Sequence, residues 1–499
     1  MQHKYLKRDR GVFMNKKLVI VGAGVAGLAA GVYARLNGFD SIIYESHDKA
    51  GGVCTSWKRK EFTIDGCIHW IMLDKPGTLT YQTWKELGIL EKCRFLPIDV
   101  FLEIYGQRGE KLTVYSDVDK LETEMIRVAP EDIDYIKQFT TAIRLYQKMQ
   151  DSKDQKENRR AFFGITRLLS DVQGGLMKVE DYVRRLQNAF LREALPLVLG
   201  PDTTVGILAM TLAQFSSRIV GIPEGGSLAF SNLLLEKYKT LGGEIVYNKT
   251  AEEILKKDGK AYGVVLSDGT QSKADYVIWA GDGHHLLFDL LSDVEQDTST
   301  QKLYQNGQLF TPLLQISLCL DNEIHNMPNR LCLIAKEPIL EDGIGENYLL
   351  ISNYQYDKTL MPEGKSIINV LLNTSYEYWN KLGYQTAEYK EAKNMVQEKI
   401  LNVISDYYPE LKEKICYQEV ATPLTWERYT GNWKGSYEGF VSTPKNLNYK
   451  PKSTIKGLDN IYMAGQWIQI GGGVSSSILS GKNTILKICE REDRKFVCE

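Results

Sequence analysis

Gly22-Ala23-Gly24-Val25-Ala26-Gly27 follows an apolar run, Leu18-Val19-Ile20-Val21, and opens a stretch of helical composition that Gly38 closes. At this spacing the first glycine permits a tight turn. The second lets backbone amides approach a pyrophosphate, and the third lets helix and strand pack closely. The helix start adds free N–H groups and the positive end of a dipole, which suits a diphosphate. Ser41-Ile42-Ile43-Tyr44 reads as a second strand ending at Glu45. A carboxylate there accepts hydrogen bonds from ribose hydroxyls and repels a 2′-phosphate. Strand, glycine turn, helix, strand and acid together form a dinucleotide fingerprint, against the competing reading of a glycine turn that binds nothing. Gly22, Gly24, Val25, Ala26, Gly27 and Glu45 are its candidate binding residues.

Ala50-Gly51-Gly52-Val53-Cys54 comes directly behind this unit. It resembles the second glycine motif of the flavin amine-oxidase and phytoene-desaturase superfamily. The resemblance implies FAD rather than NAD, with Gly51 and Gly52 at the diphosphate. Ile64-Asp65-Gly66-Cys67-Ile68-His69-Trp70 is similar to the Phe-Asp-x-Gly-x-His segment of retinol saturases and bacterial desaturase-like proteins. Cys67 departs from it where the family tends to have glycine; Asp65 and His69 keep their places. Pro223-Glu224-Gly225-Gly226 resembles the family's Pro-x-Gly-Gly segment, and Asp275 to Asp282 its strand leading back to the cofactor. Near the C-terminus, Gly457 to Trp467, Gly471-Gly472-Gly473-Val474 and Ser480-Gly481-Lys482-Asn483 resemble the closing flavin-binding motif of phytoene desaturases and retinol saturases. That implies flavin contacts from Gly465, Gln466, Gly473 and Val474. Many flavoproteins have aspartate where Gln466 stands, so a carboxylate contact to the ribityl chain is expected to be lost here or replaced by an amide.

The sequence is thus identified as a member of the phytoene desaturase, carotenoid isomerase and retinol saturase-like family. The resemblance implies an FAD-dependent oxidoreductase that desaturates or saturates carbon–carbon bonds of a lipophilic isoprenoid or polyene, such as a carotenoid or retinoid. His69 is the first candidate for a group near the flavin, because imidazole exchanges protons near pH ~7. The alternative is a histidine that only bonds backbone. Trp467 and Gln466 are expected beside the isoalloxazine or ribityl chain. Tyr429, Trp433 and Tyr437 are either pocket lining or packing aromatics, and His284-His285 is expected to begin a surface helix. No catalytic triad, metal site or covalent flavin link is read from the sequence. Two rivals stand beside this reading. One is an amine or amino-acid oxidase on the same fold; the other is a non-catalytic relative that binds prenyl or lipid groups.

The elements that position these residues interleave along the chain. Residues 116–215 read as a mostly helical, apolar-rich block, interrupted by a charged loop over 151–160. A helix is expected to Thr240, a strand at Glu244-Ile245-Val246, a hairpin turning at Asp258-Gly259, and a buried strand at Tyr276 to Ala280. Four strands at 313–320, 331–335, 347–352 and 366–372 form a second sheet, followed by a helix from about Glu388 to Ser405. A last strand at Ile461-Tyr462-Met463 leads to a helix from about Ser475 to Glu490. The fold class is therefore α/β: a Rossmann-type FAD-binding domain with an interleaved α+β substrate domain that holds an antiparallel or mixed sheet and a helical block. Residues 14–75, 220–290 and 416–499 build the FAD-binding domain, and 76–219 and 291–415 the substrate domain.

The chain has 499 residues, enough for two or three modules, and a net charge of −2, which offers no basic field for nucleic acid. Eight dispersed cysteines read as reduced thiols, so a cytoplasmic location is expected. The uncharged stretch Leu18 to Ala34 follows Lys4, Lys7, Arg8 and Arg10 and superficially resembles a signal or a span. Its four glycines fit the strand–turn–helix reading instead. Residues 1–13 are expected to be a basic extension, with Met14 as an alternative start. The apolar block 161–215 is core, lines a hydrophobic tunnel, or docks peripherally on a membrane. No second glycine fingerprint marks an NAD(P)H domain, so the expected electron partner is oxygen, a quinone or a carrier, the alternative being an NAD(P)H site without that motif.

Overall fold

A computed structural model describes residues 16–152, 155–169, 175–200, 203–324, 326–341, 343–443 and 445–499. The expected extension at 1–13 and the start at Met14 lie outside the described residues. The first strand, β1 (Lys17–Val21), is buried from Leu18 onward, as a parallel strand covered on both faces must be. It turns through Gly22, at φ +97°, into α1 (Val25–Leu36). β2 (Asp40–Tyr44) lies parallel to β1. Three distant segments complete the parallel core. α2 (Gly226–Thr240) leads to β3 (Glu244–Val246), which pairs with β2. β4 (Tyr276–Trp279) pairs with the other side of β1, and β5 (Leu458–Met463) pairs with β4. The order β3-β2-β1-β4-β5 reverses direction between β1 and β4. In open parallel sheets the crevice beyond the strand ends at such a switch point is the usual ligand site. The hairpin Ala251–Lys257 and Lys260–Leu266 extends the sheet beyond β5.

The final helix, α3 (Val474–Arg491), packs directly on α1. The approach is close because a Cβ added at Gly481 would meet the carbonyl oxygen of Ala26. Lys482 reaches under α1, and its Nζ lies 2.6 Å from the Glu86 carboxylate, with both side chains buried. The Tyr33 hydroxyl donates to the same Glu86 oxygen at 2.5 Å. A buried ion pair needs such extra hydrogen bonds to offset desolvation.

The second module is a seven-stranded mixed sheet. The four expected strands appear as Leu313–Leu320, Arg330–Ile334, Tyr348–Asn353 and Ser366–Asn373. Three further strands come from elsewhere. The hairpin Val100–Tyr105 and Lys111–Tyr115 adds to one edge, through a parallel pairing with Arg330–Ile334. Ile415–Ala421 adds to the other edge, so this strand straddles the boundary expected at 416. Helix Ala387–Ser405 covers one face with Val396, Ile400 and Ile404. The block 116–215 is helical, with long helices Val118–Val128, Ile133–Asp151, Gln155–Leu168 and Val205–Ser216 over one core. The charged loop expected over 151–160 is corrected: helix resumes at Gln155. Glu, Lys, Gln and Arg are strong helix formers, and charge there marks a solvated face rather than a break. His284-His285 does not begin an ordinary surface helix either. It opens a short π-helical turn, and His284 stacks on Trp433 with centroids 4.5 Å apart.

Candidate active site

The glycine turns of the three nucleotide-binding segments meet in one cleft at the switch point. Gly22 N donates to Tyr44 O at 2.8 Å, and Gly51 N donates to Ala23 O at 2.9 Å, so the second glycine motif folds back onto the first. Gly51 has φ +122°, and a Cβ there would lie 2.5 Å from Cys54 O. Gly24, Val25 and Ala26 face the cleft at the N-terminus of α1, and Gly473, Val474 and Ser477 face it at the N-terminus of α3. Two helix ends with free amides thus point at one space. Gly465 closes it in an extended left-handed conformation, with its N–H held by Ser480 Oγ at 2.7 Å.

Of the expected residues, Gly22, Gly24, Val25, Ala26, Glu45, Gly51, Gly52, Gly465, Gln466, Trp467, Gly473, Val474, Tyr429 and Tyr437 line this cleft. Glu45 also serves the turn itself. Its Oε2 accepts from Ala23 N at 2.7 Å and its Oε1 from His47 N at 2.9 Å. Trp467 is buried, with its Nε1 lacking a hydrogen-bond partner among the described residues.

Four expected residues stand back from the cleft. A Cβ on Gly27 would collide with the carbonyl oxygen of Gly22, so Gly27 acts through packing. Asp65 is a clasp: one carboxylate oxygen accepts from Ser227 N and Ser56 Oγ, both at 2.9 Å. Its carbonyl accepts from Asn369 at 2.7 Å and Gln315 at 3.2 Å, which ties the first module to the second sheet. Trp433 donates its backbone N–H to Asp282 at 2.9 Å while its ring packs on His284. His69 lies deeper, toward the second sheet, where burial and then the Arg330 cation push its pKa down to about 4. It is neutral at ordinary pH and a poor base.

Two acids were missed. Asp282, at the end of β4, lines the cleft, and burial raises its pKa to about 6. Both its oxygens are engaged, by His285 N at 2.7 Å and Trp433 N at 2.9 Å. Glu438 also lines the cleft, has no hydrogen-bond partner among the described residues, and is raised by burial to about 7. Its signal lay in the stretch 429–440, whose aromatic residues pointed to the pocket.

The fold and cleft define a dinucleotide-binding α/β scaffold with an inserted second sheet over its ligand site. The family model described as flavin containing amine oxidoreductase matches residues 25–484, and the chain belongs to that family. It is similar to a lycopene-forming phytoene desaturase from Pseudescherichia vulneris, 22% identical, covering 94% of this chain and 98% of the relative. It is also similar to chloroplastic prolycopene isomerase 2 from an Oncidium hybrid cultivar, 23% identical, covering 93% and 82%. Among solved structures, an oxidoreductase from Methanosarcina mazei superposes with a TM-score of 0.61 at 17% identity, covering 94% and 100%. The protein is an FAD-dependent oxidoreductase. The residues fit FAD: facing glycine surfaces leave room that side chains would fill, two helix N-termini suit the diphosphate, and an acid stands at the end of β2.

Proposed function

We propose that the enzyme moves hydrogen between FAD and a carbon–carbon bond of a lipophilic polyene. The likeness to phytoene desaturases and prolycopene isomerases along nearly the whole chain supports this reading. The observation that carries it is the unpartnered Glu438 carboxyl inside a cleft that also presents Tyr437 and Trp467. Bound FAD supplies two-electron hydride exchange with carbon. The two helix ends and Gly51-Gly52 hold the diphosphate, and Gly465 to Trp467 position the flavin end. The Glu438 carboxylate takes the proton that leaves the neighbouring carbon in desaturation, and as the acid it returns that proton in saturation. Anaerobic mixing of the FAD-loaded protein with carotenoid and retinoid polyenes is expected to bleach the flavin absorption, or to recolour the reduced flavin. Bleaching by primary amines and by no polyene moves the assignment to an amine oxidase.

The electron partner we propose is a quinone, oxygen or a carrier protein. No helix of the described residues is long and apolar enough to cross a membrane. We propose peripheral contact instead, through Gln155–Leu168, where Phe162 and Phe163 are 53% and 70% exposed beside Arg159 and Arg160. Basic charge with exposed aromatics suits an anionic lipid surface. Phe162→Ser with Phe163→Ser is expected to move the protein from the floating to the sedimented fraction with anionic liposomes. Equal flotation of wild type and double variant removes the docking proposal.

A further inference from the structure

Behind the cleft, where the first module meets the second sheet, a half-buried cation has no ion-pair partner among the described residues. Arg330 begins the strand Arg330–Ile334, and its guanidinium carbon sits 4.7 Å above the Phe101 ring. Its Nη1 is shielded from solvent and has no hydrogen-bond partner, and among the described residues no carboxylate stands within ion-pair distance of it. Burial pulls its pKa below the usual arginine range, and the side chains that counter this are those of Tyr356 and Tyr354. Its neighbour His69 feels it as a like charge. The carboxylate that also acts on these tyrosines, Asp65, has an oxygen engaged by Ser56 and Ser227, so no acid pairs with Arg330 among the described residues. A shielded guanidinium nitrogen without an acceptor is disfavoured by its unmade hydrogen bonds. The guanidinium's planar fork of donors matches a carboxylate.

The side chains packed around this place are aromatic. His69 follows Cys67, which lines the cleft, by two positions in the chain. Trp70 packs edge-on against Phe215 at 5.2 Å, and Phe215 against Phe101 at 4.6 Å, so aromatic rings run from the residue after His69 to the ring beneath Arg330. We infer that Arg330, with His69 beside it, seats an anionic end group, a carboxylate, carried by the lipophilic substrate. This rests on the polyene reading of the cleft and narrows it to polyenes with an acidic terminus. Neutral His69 can donate one N–H to the same carboxylate, which gives it a binding role rather than an acid–base one.

The test compares acid and neutral forms of one skeleton on the FAD-loaded protein. Retinoate and its methyl ester are titrated against the flavin absorption in wild type, Arg330→Met and Arg330→Lys. Wild type is expected to bind the acid ~30-fold more tightly than the ester, as a charge-assisted bidentate contact provides. Arg330→Met is expected to abolish the preference, and Arg330→Lys to keep part of it. A second arm uses thermal protection by dodecanoate against dodecanol, which does not depend on a polyene. If no retinoid perturbs the flavin but dodecanoate protects wild type and not Arg330→Met, the polyene reading fails and the anion seat stands. Equal affinity for acid and neutral forms in both arms overturns the seat, as does a preference that survives Arg330→Met. Arg330→Met is also expected to keep its FAD and melt no lower than ligand-free wild type; a large fall marks Arg330 as structural and overturns the inference.

Discussion

Gly27→Ala is expected to emerge from purification without FAD, while Gly24→Ala weakens cofactor binding by a different route. At Gly27 the added Cβ drives into the carbonyl oxygen of Gly22 and comes within 3.2 Å of the Ala280 Cβ. Both obstacles are rigid: one is the backbone of the turn, the other a side chain on the strand end. The first turn of α1 must move away from β1 and β4, and its amides leave the positions that meet the diphosphate. Losing one amide hydrogen bond to a charged diphosphate costs about 1.5–3 kcal/mol, so FAD affinity is expected to fall by ~10–100-fold for each bond lost. The ligand-free protein loses stability as well, because overpacking a tight junction costs ~1–3 kcal/mol. At Gly24, with φ −64°, a Cβ meets nothing closer than 4.0 Å and projects toward the space shared with Gly51 and Gly52. Gly24→Ala is therefore expected to weaken FAD binding and leave the ligand-free melting temperature unchanged. Flavin content after desalting, a titration with added FAD and a thermal melt separate the two. Stoichiometric FAD in Gly27→Ala would contradict the packing argument.

The same two glycines show why this end of the molecule is legible in the sequence. Turn, helix start and strand are local, so spacing alone places Gly22, Gly24 and Gly27 between β1 and α1. β4 and β5 were legible as short apolar runs between turn signals, and both join the parallel core. What failed was non-local. Val100–Tyr105 mixes buried and half-exposed positions, and its parallel partner Arg330–Ile334 lies more than two hundred residues away. No local signal announces that pairing. Ile415–Ala421 is an edge strand, exposed or half-exposed over five of its seven residues, and its composition gives little alternation to read. The charge run after Asp151 misled because helix propensity and solvent exposure point the same way there. Asp65 was legible as the acid of the resembled segment, yet its carboxylate is spent on Ser56 and Ser227, a use that only the position of α2 reveals.

Glu438→Gln is expected to lower polyene turnover by ~10²–10⁴-fold, the usual contribution of a positioned acid or base, and to leave FAD content unchanged. In sequence Glu438 is one more acid in a glycine-rich loop. Packing turns it inward: Phe310 N donates to Gly439 O at 3.0 Å, Gly471 N to Phe440 O at 2.8 Å, and Gly439 N to Ser436 Oγ at 2.9 Å. This lays residues 436–440 across the turn that carries Gly465 to Gly473. Asp282 lines the same cleft, but both its oxygens hold backbone N–H groups, so proton exchange there disrupts the cleft wall. Glu438 is free to titrate, and burial places its pKa at about 7, where acid and base forms coexist. Desaturation needs the carboxylate, so the wild-type rate is expected to rise with pH and level off above about 7. The glutamine variant has the same volume and cannot take the proton; its residual rate is expected to show no such rise. Stability gives an independent readout in the FAD-free protein. The folded pKa is raised above the ordinary value of 4.5, so between 4.5 and about 7 the folded state keeps a proton that the unfolded chain has released. The Glu438 contribution is then fully present below 4.5 and lost as pH rises through about 7. Glu438→Gln is expected to flatten that part of the stability profile. A variant with wild-type turnover and an unchanged rate profile removes Glu438 from the chemistry, and a stability slope that survives the substitution means that another group titrates in that window.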